Sequence, residues 1–187
     1  MTPQDSSIII AQTKKWINDV VIGCNFCPFA AKEMKRDSIH YEVLDSATIE
    51  TILKAVKSML VQLDQNENIE TSFIILPASF LSFEVYLDLL SKAESLLVKE
   101  NYEGVYQIAS FHPEYLFKGI TKDDPSNFTN RSPYPMFHFL REESVSRAID
   151  SYPDINEVPE RNIIYAREKG IRYMRQLWEN SFRHLYK

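Results

Sequence analysis

The chain has 187 residues, a length that fits one folded domain, and we expect residues 1–187 to form a single domain. Charged residues make up 25% and hydrophobic residues 44% of the sequence, which is typical of globular proteins and unlike disordered chains. The formal net charge of -5 provides no general basic field. The composition therefore argues against nucleic acid and anionic membrane surfaces as partners.

Cysteine content and the N-terminal pattern predict the compartment. Two cysteines are too few for the disulfide framework of a small secreted protein. The N-terminal residues lack a basic segment followed by a long apolar run, and no apolar run approaches the roughly 18 residues that span a bilayer. We expect a cytoplasmic protein with reduced thiols.

Helical and strand periodicities alternate along the first 111 residues. Helical crossovers between strands favour parallel neighbours, so the pattern predicts an α/β fold with a small, mainly parallel sheet built on a β-α-β-α-β core. The predicted elements are an N-terminal helix over 7–22, a strand over 38–44, a helix over 49–63, a strand over 72–76, a helix over 82–97 and a strand over 105–111.

The regular pattern ends at His112. Residues 112–137 contain four prolines and show neither period, yet their aromatic content predicts an ordered loop that packs back on the domain. Two helices are expected to follow, one from about Met136 to Ile149 and a long one from Pro159 to about Leu185.

Cys24 and Cys27 form a C-x-x-C pair that has several interpretations. Pro28 is suited to open a short helix, which would place the Cys27 sulfur beside unpaired backbone N–H groups and favour a reactive thiolate. A thioredoxin-like redox pair should follow a strand, whereas this pair follows a helix. Two plainly buried cysteines remain an alternative, because free cysteine is among the most buried residue types.

His112 and the segment from Asn127 to Glu143 carry the other candidate site residues. His112 follows the third predicted strand, where ligands bind in open α/β sheets, although a lone histidine is often structural. The donor-rich segment suits anion recognition, or its side chains only satisfy turns and caps. Its candidate substrate-binding residues are Asn130, Arg131, Ser132, Arg141 and Glu142, and His138 is a candidate base.

Two cysteines and two histidines of the sequence could in principle bind zinc. Cys24, Cys27, His112 and His138 include the two residue types of a Cys₂His₂ site, but the histidines are too far apart in sequence for the usual pairing. We expect no bound metal and no cofactor.

Three motifs, CPFA, SFHPEY and NRSPYPMFHFLREESV, resemble the domain-of-unknown-function family 1415, an uncharacterised and mostly bacterial family. The resemblance extends from about Trp16 to the last helix, and it implies no activity. Cys24 departs from the family pattern, in which an aliphatic residue is usual. The positions that match the pattern are Cys27, Pro28, Phe29, Ser110, His112, Pro113, Asn130, Arg131, Ser132, Pro133, Pro135, His138 and the stretch Leu140 to Glu142.

Two functional hypotheses follow from these residues. The first is a small enzyme that acts on a compact anionic metabolite by acyl or group transfer or by hydrolysis. Cys27 would be its nucleophile, His112 or His138 its base, and Arg131 with Asn130 its anchor. The second is a non-catalytic protein that binds a ligand or partner through the Arg-rich, aromatic segment 112–142.

Overall fold

A computed structural model describes residues 6–151 and 157–183 of the protein. Four strands form one sheet in this part of the chain: β1 (Ile39–Val43), β2 (Thr71–Ile75), β3 (Tyr106–Phe111) and β4 (Met136–Arg141). Their order in the sheet is β1-β2-β4-β3. Strands β1 and β2 are parallel, whereas β4 is antiparallel to both of its neighbours. The structure is therefore mixed α/β, as predicted.

Helices surround the sheet. The helix predicted over 7–22 is confirmed, although its last turn, Ile17–Ile22, is π-helical, and a 3-10 turn, Pro125–Thr129, lies in the long loop. The predicted end of the last helix near Leu185 lies outside the described residues. The α-helices described are α1 (Ser6–Trp16), α2 (Ala30–Arg36), α3 (Ile49–Gln65), α4 (Phe83–Lys99), α5 (Glu142–Ser151) and α6 (Val158–Arg183).

The prediction of a mainly parallel sheet is wrong, and the reason is β4. Met136–Arg141 was expected to begin a helix, but it forms a strand that lies between β2 and β3. Its side chains alternate between the two faces of the sheet, because Phe137 and Phe139 belong to one core cluster and Met136 to the other. Strands β1, β2 and β3 still point in the same direction, since β4 is antiparallel to both β2 and β3.

One face of the sheet, which we call the closed face, is covered by α3 and α4. Both helices present a continuous apolar stripe, and their buried side chains pack against Phe137 and Phe139 of β4. Seven side chains of α3 and α4 in this core are 0% exposed, namely Ile52, Val56, Met59, Leu60, Leu63, Tyr86 and Ala93.

The opposite face, which we call the open face, is covered over only part of its area. There Trp16 of α1 and Met174 of α6 pack with Phe73 and Met136 of the sheet. Helix α6 bends at Gly170, whose φ of 79° is accessible to glycine but strained for other residues. The rest of this face, between α1, α2 and α5, is a cavity.

The long loop between β3 and β4 packs against α6. Phe128 is buried beneath the helix, with its ring centroid 6.1 Å from that of Trp178. Asp124 accepts hydrogen bonds from the Arg167 guanidinium at 3.0 and 3.2 Å. The loop thereby positions the start of β4 beside β2.

Candidate functional site

A cavity of about 670 Å³ lies on the open face of the sheet. Its floor is formed by side chains of β2, β3 and β4, and its walls come from α1 with the following π-helical turn, from α2 and from α5. Most of the lining is apolar, and the aromatic side chains that face it are Trp16, Phe29, Phe73 and Phe111.

Small residues and a distorted helix end keep this space open. Ala30, Ala109 and Ala148 line three different sides of the cavity. The wall that begins at Trp16 turns away through the π-helical residues, and Gly23 ends it with a hydrogen bond from its N–H to the Asn18 carbonyl oxygen. A Cβ at Gly23 would lie 2.3 Å from the Asp19 carbonyl oxygen, so this close turn requires glycine.

His138 is the polar residue at the centre of the floor. Its ring stacks on that of Phe73, with a centroid distance of 4.1 Å and an interplanar angle of 4°. The Thr71 hydroxyl oxygen lies 2.6 Å from His138 Nε2 and also 2.6 Å from the Phe139 carbonyl oxygen. A carbonyl oxygen only accepts, so the single Thr71 proton is donated to Phe139 and His138 Nε2 must carry a proton that it donates to Thr71.

This hydrogen bond leaves His138 Nδ1 as the unprotonated nitrogen. Among the described residues, no side chain or backbone group hydrogen-bonds to Nδ1, and His138 lines the cavity. Burial lowers the pKa of His138 to about 3. The imidazole is therefore neutral near pH 7 and offers the cavity a hydrogen-bond acceptor.

The two cysteines lie in different surroundings, and both are free thiols. Cys27 lines the cavity just before α2. Cys24 is buried in the core of the open face, where it shares a hydrogen bond with Tyr165, and its pKa is raised by burial. Of the pair, the structure places Cys27 in the same cavity as His138.

His112 lies on the α4 side of the sheet, packed against Phe83 and Tyr86. It is fully buried, and both ring nitrogens are engaged: the Glu114 N–H donates to Nδ1 at 2.9 Å, and Nε2 is 3.0 Å from the Phe80 carbonyl oxygen. Burial lowers the pKa of His112. This histidine anchors the start of the long loop.

Asn130, Arg131 and Ser132 also use their donors within the loop. Arg131 donates to the carbonyl oxygens of Tyr115 and Lys122 at 3.2 and 3.0 Å and lies over the ring of Phe128 at 4.6 Å. The Asn130 amide donates to the Ser110 carbonyl oxygen, and the Ser132 hydroxyl to that of Tyr134. These three residues shape the loop, away from the cavity lined by His138.

Arg141 and Glu142 lie at the junction of β4 and α5. Arg141 borders the cavity, but its guanidinium donates to the carbonyl oxygens of Leu63 and Ile69 at 2.5 and 3.0 Å, near the C-terminal end of α3. The Glu142 N–H donates to the Val105 carbonyl oxygen as α5 begins. Both residues join the end of the sheet to its neighbours.

Several cavity residues were not found from the sequence. Thr71 fixes the His138 tautomer. The only feature of the sequence that pointed to Thr71 was its position at the start of a buried strand. Lys32, Arg36 and Arg147 line the mouth of the cavity, with side chains 70%, 55% and 63% exposed. On a sequence they are indistinguishable from ordinary solvated helix residues.

The described residues contain neither a cluster of metal ligands nor a membrane-spanning helix. Across residues 6–151 and 157–183, no three His, Cys, Asp or Glu side chains come close enough together to hold a metal ion. The four residues of the candidate Cys₂His₂ set are dispersed, since Cys24 packs with Tyr165 and His112 with α4. None of the described helices has both the length and the apolar character needed to cross a membrane.

Comparison with known families gave one match. The model of the family described as protein of unknown function (DUF1415) matches residues 8–176. The chain belongs to this family. The match covers every strand of the sheet and all the cavity-lining segments, so the cavity is built from the family's own region. Searches among curated proteins and among solved structures found no match.

Proposed function

We propose that the protein binds a small molecule with an apolar body and an anionic group in the cavity on the open face. The observation that carries this proposal is the cavity itself. Its volume of about 670 Å³ is within the range of small-molecule sites, which is about 300 to 1,000 Å³. Such sites are lined mainly by apolar and aromatic side chains with a few placed polar groups, as this one is by Phe73, Phe111 and His138.

The charged residues of the lining support an anionic ligand group. Lys32, Arg36 and Arg147 lie at the mouth, whereas the acidic residues of the lining are Glu33 and Glu70. Part of the positive charge is already balanced, because Glu33 lies within 3.7 Å of Lys32 and 3.5 Å of Arg36. Arg147 likewise pairs with Glu143 at 2.6 Å. With Arg141, however, the lining holds four basic residues against two acidic ones. The mouth therefore favours a negative group, while the floor favours an apolar one.

The low pKa of His138 makes ligand binding a stronger hypothesis than base catalysis. A general base works best when its pKa is near the working pH, and a pKa of about 3 makes this imidazole a weak proton acceptor at neutral pH. A neutral Nδ1 in an apolar cavity serves well as a fixed acceptor for a ligand hydroxyl or N–H.

The proposal is tested by titrating the protein with 8-anilinonaphthalene-1-sulfonate, an anionic probe whose fluorescence rises in apolar sites. We expect saturable binding of one probe per chain. Ala109→Trp fills the cavity floor and should abolish binding, whereas Val85→Trp, at an exposed position on α4, should leave it unchanged. Unsaturable binding, or equal binding by both variants, would contradict the proposal.

The anionic part of the proposal has its own matched pair of variants. Arg147→Ala removes a charge from the mouth and should weaken binding by roughly two- to fivefold, because the side chain is mostly exposed and its interaction is screened. Arg172→Ala removes an exposed charge outside the cavity and should have no effect. If both variants changed the affinity for the probe equally, the proposal of an anionic ligand group would be contradicted.

A second candidate function, thiol-based group transfer or hydrolysis, is favoured by the presence of Cys27 and His138 in one cavity. The Cys27 sulfur would attack an acyl carbon of the bound molecule while Nδ1 of His138 accepts the thiol proton. The bond from that carbon to the leaving group would then break, the leaving group would take the proton from His138, and water or an acceptor would release the acyl group from the sulfur. Alkylation by iodoacetamide at pH 7 tests it. The candidate requires Cys27 to react faster than free cysteine and to be protected by the bound probe, and a slower reaction than that of free cysteine would exclude it.

A further inference from the structure

We propose that the ligand carries a planar aromatic ring and that this ring stacks on the open face of His138, above Ala109. The inference rests on the proposed function and narrows it to aromatic anions. It comes from the register of the sheet, which places four residues in one row across the strands.

The row consists of Tyr41, Phe73, His138 and Ala109, on β1, β2, β4 and β3. Three of its members are rings. Tyr41 and Phe73 stack at a centroid distance of 5.7 Å and an angle of 8°, and Phe73 and His138 at 4.1 Å and 4°. Three nearly parallel rings thus extend across the sheet and stop where β3 contributes a methyl group.

The position above Ala109 is where a fourth ring would stand. Neighbouring strands lie about 4.8 Å apart, so this position is one stacking distance beyond the His138 ring. Ala109, Phe111 and His138 all line the cavity, which shows that the space above Ala109 is open. Phe111 borders it with a tilted ring, 6.1 Å from His138 at 43°.

His138 is well suited to hold a stacked ligand. Its ring is fixed on one face by Phe73 and at its edge by the Thr71 hydroxyl, so little side-chain freedom remains to be lost on binding. Offset stacking of aromatic rings adds a favourable term beyond the area buried, and a saturated ring cannot supply it.

The experiment compares two carboxylates that share a skeleton and a charge, naphthalene-2-carboxylate and decahydronaphthalene-2-carboxylate. Burial of apolar area alone favours the bulkier saturated compound. We expect the aromatic compound to bind roughly three- to tenfold more tightly, as a stacking contribution implies. Equal binding, or tighter binding of the saturated compound, would overturn the inference while leaving the proposed function intact.

Two substitutions and a control test whether the aromatic ring stacks on His138 above Ala109. His138→Leu should bring the affinity ratio of the two carboxylates to about one, and Ala109→Phe should occupy the fourth position of the row and exclude both. Ala109→Ser is the matched control, because it leaves the position open, and it should keep the wild-type ratio. A wild-type ratio in His138→Leu would contradict stacking on this residue.

A measurement on the wild-type protein does not depend on the folding of any variant. Ring stacking should move the NMR signals of the His138 ring protons upfield when naphthalene-2-carboxylate saturates the cavity, and decahydronaphthalene-2-carboxylate should not cause this shift. Unchanged His138 signals at saturation with the aromatic compound would overturn the inference. If neither carboxylate nor the sulfonate probe binds, the proposed function itself fails.

Discussion

The two faces of the sheet are built from alternate residues of the same strands, yet they are filled differently. On the closed face, Phe137 and Phe139 of β4 are 0% exposed under α3 and α4. On the open face, His138 and Leu140 of the same strand line a cavity. A strand contributes equally to both faces, so the difference arises from the helices that cover them.

This difference supports the proposal that the closed face serves stability and the open face binds a ligand. A well-packed core gains free energy from every methylene, and leaving about 670 Å³ unfilled forgoes much of that gain. The open face also keeps a polar imidazole in its floor, where an apolar side chain would be the stable choice. Both features are consistent with a face that is completed by a ligand.

The largest expected difference in the free energy of unfolding is between alanine variants of two phenylalanines, one on each face. Phe139→Ala empties a fully packed site on the closed face and should destabilise the protein by about 3 to 5 kcal/mol. Phe111→Ala on the open face removes a ring that already borders the cavity, so the cost should be about 1 to 2 kcal/mol. Urea unfolding followed by circular dichroism measures both, and equal costs would mean that the faces are equally packed.

Substitutions that enlarge a side chain should also affect the stability of the two faces differently. Ala93→Leu adds three carbons to a site that is 0% exposed under α4, and overpacking should cost about 1 to 3 kcal/mol. Ala109→Leu adds the same atoms to the cavity, where space exists, and should change the free energy of unfolding by less than about 0.5 kcal/mol. A comparable loss in both variants would show that the cavity closes in solution.

The imidazole of the open face should make stability depend on pH. Because burial lowers the folded-state pKa of His138 to about 3, the unfolded chain binds more protons below pH 6.5, and stability falls as the pH decreases. Between pH 7 and pH 5 the wild type should lose about 1 to 2 kcal/mol more than His138→Leu, in which the other histidines are unchanged. Parallel pH profiles of the two proteins would contradict the burial of a neutral His138.

The smallest expected effect concerns the loop that borders the open face. Hydrogen bonds from Arg167 and then from Ser126 lower the pKa of Asp124 to about 2. The resulting stabilisation is present above pH 4 and is lost as the pH falls towards 2. Asp124→Asn should cost about 1 kcal/mol at pH 7, because Arg167 is half exposed and solvent weakens the pair. Asp123→Asn, at an 87% exposed side chain, is the control and should cost less.

Much of the fold could be predicted from the sequence, because most elements are separated by turn signals and have distinct periods. Strand β4 was missed for a physical reason. It ends at Arg141 and α5 begins at Glu142, so no turn residue separates strand from helix. His138, Arg141 and Glu142 also have helical spacing, and this spacing concealed the alternation of Phe137 and Phe139.

The site was predictable only in part. His112 and His138 are equally prominent in the sequence, and they differ in whether Nδ1 is occupied, which depends on the Glu114 amide and on the sheet register. Arg131 was expected to hold an anion, but a long loop has many carbonyl oxygens that need donors, and its guanidinium satisfies two of them. Neither outcome can be read from residue type and order.

The position of β4 has a consequence for the way the chain folds. The residues of β2 and β3 precede those of β4 in the chain, yet the two strands are not hydrogen-bonded to each other, because β4 lies between them. Until Met136–Arg141 arrives, the edges of both strands are unpaired, and such edges invite association with other chains. The slowest step of folding should therefore be the insertion of this strand after closure of the long loop, and chains truncated before Met136 should aggregate rather than fold.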